Sequence, residues 1–416
     1  MFSLTNVIFY TFAFFSLYAQ VFILLTFLEN RKRLAKDVGD EKLAKYPKVT
    51  IIVPCWNEEK TVYKTVKSIF NLNYPKDKVK IILVDDGSTD NTWKIISKFL
   101  KYSNVKVFKK ENGGKHTALN LGLENTDTEF VGCLDADSRA DENSLVKLMS
   151  FFERYPDSMA VTPSIVVEKA NSIVEKAQRA EYNVGVYVKK MLGFLGAIQV
   201  TPGPLTIYRK KVFDDLGPYR HAHNTEDMEI AYRMQKNHYK IQQCHDAFVY
   251  TGTPNSLKKL YKQRLRWIYG SINNTIDYRK VLFKKEYGNF SLFTLPSGII
   301  VTIATGYIFF NTLYLLFKLL SKEILHYQAV GFNFNLNFKP KSFDLFFINT
   351  EISLFLAILL FGTVFVSIIV GYKMSKTKKP ISMDIVYFIS VFSFIAPFWL
   401  MKAVYNTIIS RKPSWR

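Results

Sequence analysis

From Phe2 to Leu28 the chain carries no charged residue, and at 1.5 Å per residue a helix of this length crosses a hydrocarbon layer of about 30 Å. A chain that begins this way folds against a bilayer. A cleaved signal peptide is the competing reading, but no basic segment precedes the run, the run is too long, and no small-x-small cleavage site follows it. Arg31-Lys32-Arg33 comes directly after, so the excess of cations predicts that the next region lies in the cytoplasm. Three further apolar stretches, Leu295 to Phe317, Ile352 to Tyr372 and Ile385 to Met401, each approach the ~20 residues that a spanning helix needs. They predict a multi-pass protein of the plasma membrane with its polar middle in the cytoplasm. Four crossings leave a conflict: the Lys373 to Lys379 loop falls inside, but the basic tail (Arg411, Lys412, Arg416) falls outside. Either one late segment is interfacial or re-entrant, or the tail breaks the charge rule.

At 48% hydrophobic and 15% aromatic residues, the composition exceeds what a soluble core of this size requires. The 56 Lys and Arg against 35 Asp and Glu give a net charge of +21, which points to nucleic acid, anionic headgroups or a polyphosphate substrate. Cys55, Cys133 and Cys244 are far apart and lie in or beside apolar runs. They read as small buried residues, which excludes a disulfide framework or a zinc site.

Between Tyr46 and Gly252 the pattern changes. Val49 to Val53, Lys80 to Val84 and Phe130 to Leu134 are near-continuous apolar runs, as parallel strands covered on both faces should be. Amphipathic stretches alternate with them at Glu59 to Leu72, Asn91 to Tyr102 and His116 to Glu124. This predicts an α/β fold with a doubly wound, mostly parallel sheet, whose ligands bind beyond the carboxyl ends of the strands.

Polar clusters fall at those ends. Trp56-Asn57-Glu58-Glu59 follows the first strand and suits a nucleobase or ribose, or else a helix start capped by Asn57. Asp85-Asp86-Gly87 follows the second; adjacent acids repel unless one accepts a proton donor such as a base N–H. Asn112-Gly113-Gly114-Lys115 offers backbone N–H groups and a cation to phosphate oxygens, or is a plain loop. Asp135-Ala136-Asp137 follows the third strand with both carboxylates on one side of extended backbone. That arrangement suits Mg²⁺ or Mn²⁺, which prefer oxygen ligands and leave positions for substrate phosphates; the alternative is a solvated acidic loop running on through Asp141 and Glu142. Thr225-Glu226-Asp227 opens a helical stretch, either as an ordinary capped start or as a rigidly held carboxylate able to deprotonate a hydroxyl. On a further helix Leu257, Tyr261, Leu265, Ile268 and Ile272 form an apolar stripe, suited to a membrane surface or to the domain. Gln263, Arg266 and Trp267 share another face, where a guanidinium suits a diphosphate and an indole a sugar ring.

In this order and combination, Asp85-Asp86-Gly87, Asp135-Ala136-Asp137, Thr225-Glu226-Asp227 and Gln263-x-x-Arg266-Trp267 resemble the family 2 glycosyltransferases. Among these the resemblance is to the processive membrane-bound synthases of β-linked polysaccharides, of the poly-N-acetylglucosamine, hyaluronan and chitin-oligosaccharide type. It covers about Lys48 to Gly270 and implies a type A domain at 46–255 between a membrane helix at 1–29 and helices at 291–416. Interfacial helices fill 256–290. The resemblance implies that Glu58, Asp85 and Asp86 hold the uridine of a UDP-sugar, with Lys115 near the nucleotide. Asp135 lies at the diphosphate and Asp137 reaches a Mg²⁺ or Mn²⁺ ion. Asp227 is the general base with Glu226 beside it, and Gln263, Arg266 and Trp267 meet the diphosphate and the acceptor end. Gly203-Pro204-Leu205-x-x-Tyr208-Arg209 looks like the acceptor-side loop. Trp56, where Tyr is usual, and His116, where Ala is common, depart from the pattern without removing a catalytic group.

The implied activity is inverting transfer to a growing β-linked polysaccharide that leaves through the bilayer, UDP-N-acetylglucosamine being the favoured donor. The partners are then donor, polymer and lipid, with room for a small accessory membrane subunit and no nucleic acid. Single transfer to a polyprenyl phosphate is the alternative enzyme, and a non-catalytic basic membrane protein the alternative class.

Overall fold

The computed structural model describes residues 4–330, 352–375 and 383–412. Its sheet has eight strands: β1 (Val49–Cys55), β2 (Val79–Asp86), β3 (Val105–Lys110), β4 (Phe130–Cys133), β5 (Ser138–Ala140), β6 (Ser158–Val167), β7 (Ile207–Arg209) and β8 (Lys240–Thr251). Their order is β3-β2-β1-β4-β7-β6-β8-β5. The half from β3 to β4 is parallel, as the apolar runs predict. Beyond β4 the sheet is mixed, because β7 runs antiparallel between β4 and β6, and β5 antiparallel to β8.

Period-two alternation assigns the strand residues to two cores. Val49, Ile51 and Val53 face one core with Ile81 and Leu83, while Ile52 faces the other with Ile82 and Val84. The first core is closed by α2 (Val62–Phe70), α3 (Thr92–Ile96) and α5 (Ser144–Arg154). The second is closed by α4 (Lys115–Glu124), α7 (Lys211–Leu216) and α8 (Glu226–Lys236). All three cysteines are free and buried, as their apolar surroundings imply.

Four helices are long and apolar enough to cross a membrane. They are α1 (Leu4–Lys36), α10 (Leu295–Val330), α11 (Ile352–Met374) and α12 (Met383–Ile408). Helix α1 continues through Arg31-Lys32-Arg33, and α10 extends well past Phe317. Two other helices, α6 (Ile173–Phe194) and α9 (Leu257–Asp277), carry too many charges to cross and lie between the sheet domain and the apolar helices. Tyr187 of α6 packs edge-on to Phe27 of α1, and Tyr372 of α11 is buried against Ala180 of α6. The Lys373 to Lys379 loop and Arg416 lie partly or wholly outside the described residues.

Buried ion pairs tie α1 to the domain. Asp37, just past the helix, accepts from the ammonium of Lys190 and, at 2.6 Å, from the hydroxyl of Tyr155. Two residues on, the Gly39 N–H donates to Asp246 at 2.9 Å, which also pairs with Lys147 at 3.0 Å. Lys190 is 1% exposed, and a buried charge without its partner typically costs about 3–5 kcal/mol. Asp37→Ala should therefore destabilise the detergent-solubilised protein by about that amount, and adding Lys190→Met should recover most of it. Thermal unfolding checks this, and an unchanged midpoint for the single variant refutes it.

Candidate active site

The strand ends of β2, β1 and β4 are neighbours, so the loops that follow them meet at one edge of the sheet. The first loop does not start a helix at Asn57. Its backbone is left-handed (φ 55°), its side-chain oxygen accepts from the Thr89 N–H at 2.8 Å, and α2 begins only after Thr61. Further bonds latch the two loops together: the Glu58 N–H donates to Thr92 at 2.8 Å and the Glu59 N–H to Asp90 at 3.1 Å. Thr61 donates to the Glu58 carboxylate at 2.7 Å.

Asp85 and Asp86 are successive strand residues and point to opposite sides. Asp86 is taken up by the protein, accepting from Lys110 at 2.7 Å and from the N–H groups of Gly113 and Gly114 at 3.1 and 2.9 Å. It braces the loop that leads to Lys115. Asp85 is fully buried; one of its oxygens accepts from the Ser88 N–H at 3.2 Å, and the other has no hydrogen-bond partner. A buried carboxylate oxygen left this way is costly unless a ligand donates to it.

Lys115, the first residue of α4, reaches across the cleft. Its ammonium lies 2.7 Å from Asp135 and 3.3 Å from Glu226. Burial alone would lower its pKa, but Asp135 and Glu226 outweigh burial and hold it well above the usual lysine range. Glu226 shows the converse: burial opposes its charge, and Lys115 with Arg266 keeps it below the usual glutamate value. Asp227 beside it is pushed up to about 6 by burial and by the charge of Glu226. Its own oxygen accepts from the Met228 N–H at 2.9 Å. Asp137 accepts from the Ser138 hydroxyl at 3.0 Å, and dehydration by the surrounding loops, with the charges of Asp135 and Glu58, raises it to about 6.

Thr225 stands at the start of α8 without capping it. Its hydroxyl donates to the Ala222 carbonyl at 2.9 Å and accepts from Asn274 of α9, also at 2.9 Å. The three residues before it, Ala222, His223 and Asn224, are all left-handed (φ 44°, 54° and 64°). Helix α9 holds this turn, with Arg266 donating to the Asn224 carbonyl at 2.9 Å and His223 paired to Asp277 at 2.9 Å. At Gly270 α9 comes so close that a Cβ would lie 2.2 Å from the Thr225 hydroxyl.

The loop before β7 closes the cleft. Thr201 donates to the Asp227 carbonyl from its N–H at 3.1 Å and its hydroxyl at 2.9 Å. A Cβ on Gly203 would stand 2.6 Å from Asp135 and 2.7 Å from the Lys115 ammonium. Pro204 is buried beside it. Tyr208 lines the cleft together with Lys115, Glu226 and Asp227 and is buried against Phe213, whereas Arg209 pairs with Glu129 at 2.6 Å.

On α9, Gln263 has a buried amide oxygen with no hydrogen-bond partner, and Arg266 acts electrostatically on both Glu226 and Asp227. Trp267 is half-buried, with the Arg264 guanidinium 4.5 Å from its ring centroid. Arg264 itself is fixed by a two-pronged pair with Glu181 of α6, at 2.7 and 2.6 Å. The apolar stripe of α9 is covered mainly by α12, with Tyr261, Leu265 and Ile268 packing around buried Trp399 and Leu400.

Two residues of α6 carry no signal in the sequence. Tyr182 lies in the field of Asp137 and Asp135, with burial foremost among the causes that raise it to about 12. Lys189, two turns on, is lowered to about 8 by burial, which Asp227 only partly offsets. Their spacing of seven marks one helix face, and the capping box of Ser172 and Glu175 marks where the helix starts. Nothing in that pattern separates it from an ordinary amphipathic helix.

Among the described residues no three Asp, Glu, His or Cys side chains form a ready-made metal cage. Asp137 and Asp135 instead offer a two-carboxylate edge at which dehydration and then like charge raise Asp137. Such an edge fits Mg²⁺ or Mn²⁺, which take one or two carboxylates and leave the remaining positions to phosphate oxygens and water.

Residues 50–217 match the family described as Glycosyl transferase family 2. A poly-beta-1,6-N-acetyl-D-glucosamine synthase of Staphylococcus epidermidis is 31% identical over 304 residues, 72% of each chain. A synthase of the same description from Staphylococcus aureus (strain COL) is 30% identical over 264 residues, 62% of this chain and 63% of that one. The fold is that of a Pyrobaculum calidifontis mannosyltransferase solved with GDP-Man and Mn²⁺, at a TM-score of 0.62 and 16% identity over 96% of this chain and 99% of the other. The non-catalytic reading of the positive charge is thereby overturned. Identity and coverage of this extent, over a type A domain flanked by apolar helices, show that the chain is a glycosyltransferase of family 2.

Proposed function

We propose that this protein is a membrane-embedded, inverting and processive polysaccharide synthase that moves N-acetylglucosamine from UDP-N-acetylglucosamine to the end of a β-linked polymer. The catalytic domain faces the cytoplasm and the polymer leaves through the bilayer. The observation that carries the reading is Asp227, raised to about 6 beside Glu226 and within reach of the charges of Lys115 and Arg266. A carboxylate of that basicity is ionised at neutral pH yet basic enough to take a proton from a hydroxyl. The choice of sugar is supported by the similarity to the staphylococcal synthases, which are named for a polymer of it.

In the mechanism the free oxygen of Asp85 accepts from the N–H of the uracil, and Glu58 holds the ribose. The acceptor hydroxyl, placed under Gly203 and Pro204 and against Trp267, loses its proton to Asp227. Its oxygen bonds to the anomeric carbon as the bond from that carbon to the UDP oxygen breaks on the opposite face, which inverts the centre. Arg266 and Gln263 stabilise the charge arriving on the diphosphate, and Lys115 neutralises Asp135 and Glu226 beside it. Asp137 and Asp135 would hold a divalent ion, which when bound would supply further positive charge to the leaving group. Asp227 then releases its proton to water.

Asp227→Asn should reduce polymer formation from radiolabelled UDP-N-acetylglucosamine by at least about 100-fold, the lower range for a general base, with donor affinity little changed. For the wild type, log kcat/KM should rise with pH to a plateau with an apparent midpoint near 6, because the raised carboxylates must lose protons before they act. A flat profile from pH 5 to 7, or full activity in the Asn variant, would exclude this base; a single lipid-linked sugar as product would exclude processivity.

Binding of Mn²⁺ with UDP should raise the unfolding temperature more at pH 7.5 than at pH 5.5, since protons compete for the Asp137 carboxylate. Asp137→Asn should abolish that pH difference. An equal shift for wild type and variant would sink the assignment.

Gly203→Ala places a methyl against the Lys115–Asp135 pair and should lower kcat by more than about tenfold, equivalent to 1.4 kcal/mol in the barrier, while the unfolding temperature stays within a few degrees. Unimpaired turnover would remove this loop from the site.

A further inference from the structure

The last apolar helix has the length and composition to cross the membrane, but its contacts put both of its ends on the catalytic domain. At its start, Asp384 accepts from the Arg179 guanidinium of α6 at 2.7 Å, and the Lys176 ammonium lies 5.9 Å from the centroid of the Tyr387 ring. At its end, Asn273 of α9 donates to the Thr407 hydroxyl at 3.0 Å. Between these points Trp399 and Leu400 are buried against Val174 of α6 and Leu260 of α9. Asp384 to Thr407 spans about 35 Å at 1.5 Å per residue. A helix of that reach set across the bilayer would put one end on the far side, beyond any side chain of the domain. Helices α6 and α9 cannot follow it there, because Lys176, Arg179, Glu181, Arg264 and Arg266 would be carried into hydrocarbon.

We infer that α12 does not cross the membrane: it enters and leaves on the catalytic side, covers the apolar stripe of α9, and turns its outer face to the lipid of that leaflet. The two faces differ as this requires. Trp399, Leu400, Ala403 and Asn406 are buried against the protein, whereas Val386, Ile389, Phe394, Phe398 and Ile408 are exposed, Phe394 at 79% and Ile408 at 76%. The bilayer is located by the neighbouring helices: α12 meets α10 at Gly306 and Phe309, within fifteen residues of the domain-side start of α10. After Ile408 the chain turns at left-handed Ser410, and the Arg411 N–H donates back to the Asn406 carbonyl at 2.8 Å. Lys412 then lies close enough to His221, at the rim of the cleft, to help burial and His116 lower that imidazole's pKa. Three crossings, by α1, α10 and α11, put Arg411 and Lys412 on the same side as Arg31-Lys32-Arg33. The charge rule that four crossings violate is then obeyed along the described chain.

The inference rests on the membrane reading and cytoplasmic orientation proposed above, and one experiment separates the two. The full chain is labelled in intact cells and in inverted vesicles with a membrane-impermeant maleimide; the three native cysteines are buried and give a low background. Gln328→Cys, near the far end of α10, reports the membrane reading, and Ser410→Cys reports α12. We expect Gln328→Cys to react in intact cells, and Ser410→Cys to react at least tenfold more in inverted vesicles than in intact cells. Reaction of both from outside overturns the inference and leaves the membrane reading standing; an unreactive Gln328→Cys in intact cells overturns both. Should the thiol at 410 be sheltered from either face, a C-terminal green fluorescent protein decides between the two topologies, since it fluoresces in the cytoplasm and stays dark after export through the general secretion pathway.

Discussion

The site depends on one ammonium group. Asp135, Asp137, Glu226 and Asp227 come from two distant stretches of chain and gather in one cleft, where their mutual repulsion would drive them apart or force them to take up protons. Lys115 bridges Asp135 and Glu226 and so joins the end of β4 to the start of α8. It also divides the carboxylates into two kinds. Glu226, paired with it, is held in its charged form, while Asp137 and Asp227, beyond its direct contact, remain near the point where they exchange protons at physiological pH. That division lets one cluster contain both a carboxylate held in its charged form and carboxylates able to take up a proton.

Around this bridge the fold supplies rigidity from three directions. Parallel strands deliver the donor-side acids at a common level, the buried pairs beyond Lys36 fix α1 to the domain, and α9 packs against Thr225 closely enough that only a glycine fits at position 270. Arg264 extends the frame to α6 by its pair with Glu181. The indole and guanidinium of α9 are therefore placed relative to the cleft by the packing at Gly270 and the Arg264–Glu181 pair.

Much of this could be read from residue order. The apolar runs predict β1, β2 and β4 to within two residues at each end, because a strand buried on both faces is apolar along most of its length. The acids stood out because they interrupt those runs at their ends. Other features had no such signal. Strands β6 to β8 mix polar and apolar residues where they face helices α6 and α8, so their period is weak. The antiparallel insertion of β7 depends on long-range pairing that no local pattern encodes. Asp85 and Asp86 look equivalent in sequence, and only the alternation of a formed strand shows that one is spent on the loop of Gly113 and Gly114 while the other keeps an oxygen free. In the same way α12 has a spanning composition because its outer face and its packing against α9 both favour apolar residues; its polar anchors, Asp384 and Thr407, are few and easily overlooked.

The turn at Ala222, His223 and Asn224 has a bearing on how the two halves of the cleft communicate. Three consecutive residues with side chains in left-handed backbone each cost about 1–3 kcal/mol, and the contacts from α9 hold them there. One of those contacts is the guanidinium of Arg266 on the Asn224 carbonyl, a group that also faces the cluster. Anything anionic that draws this guanidinium away loosens a tensioned segment two residues before Glu226. Occupancy on one side of the cleft would then be felt as mechanical slack in the backbone beneath Glu226 and Asp227 on the other.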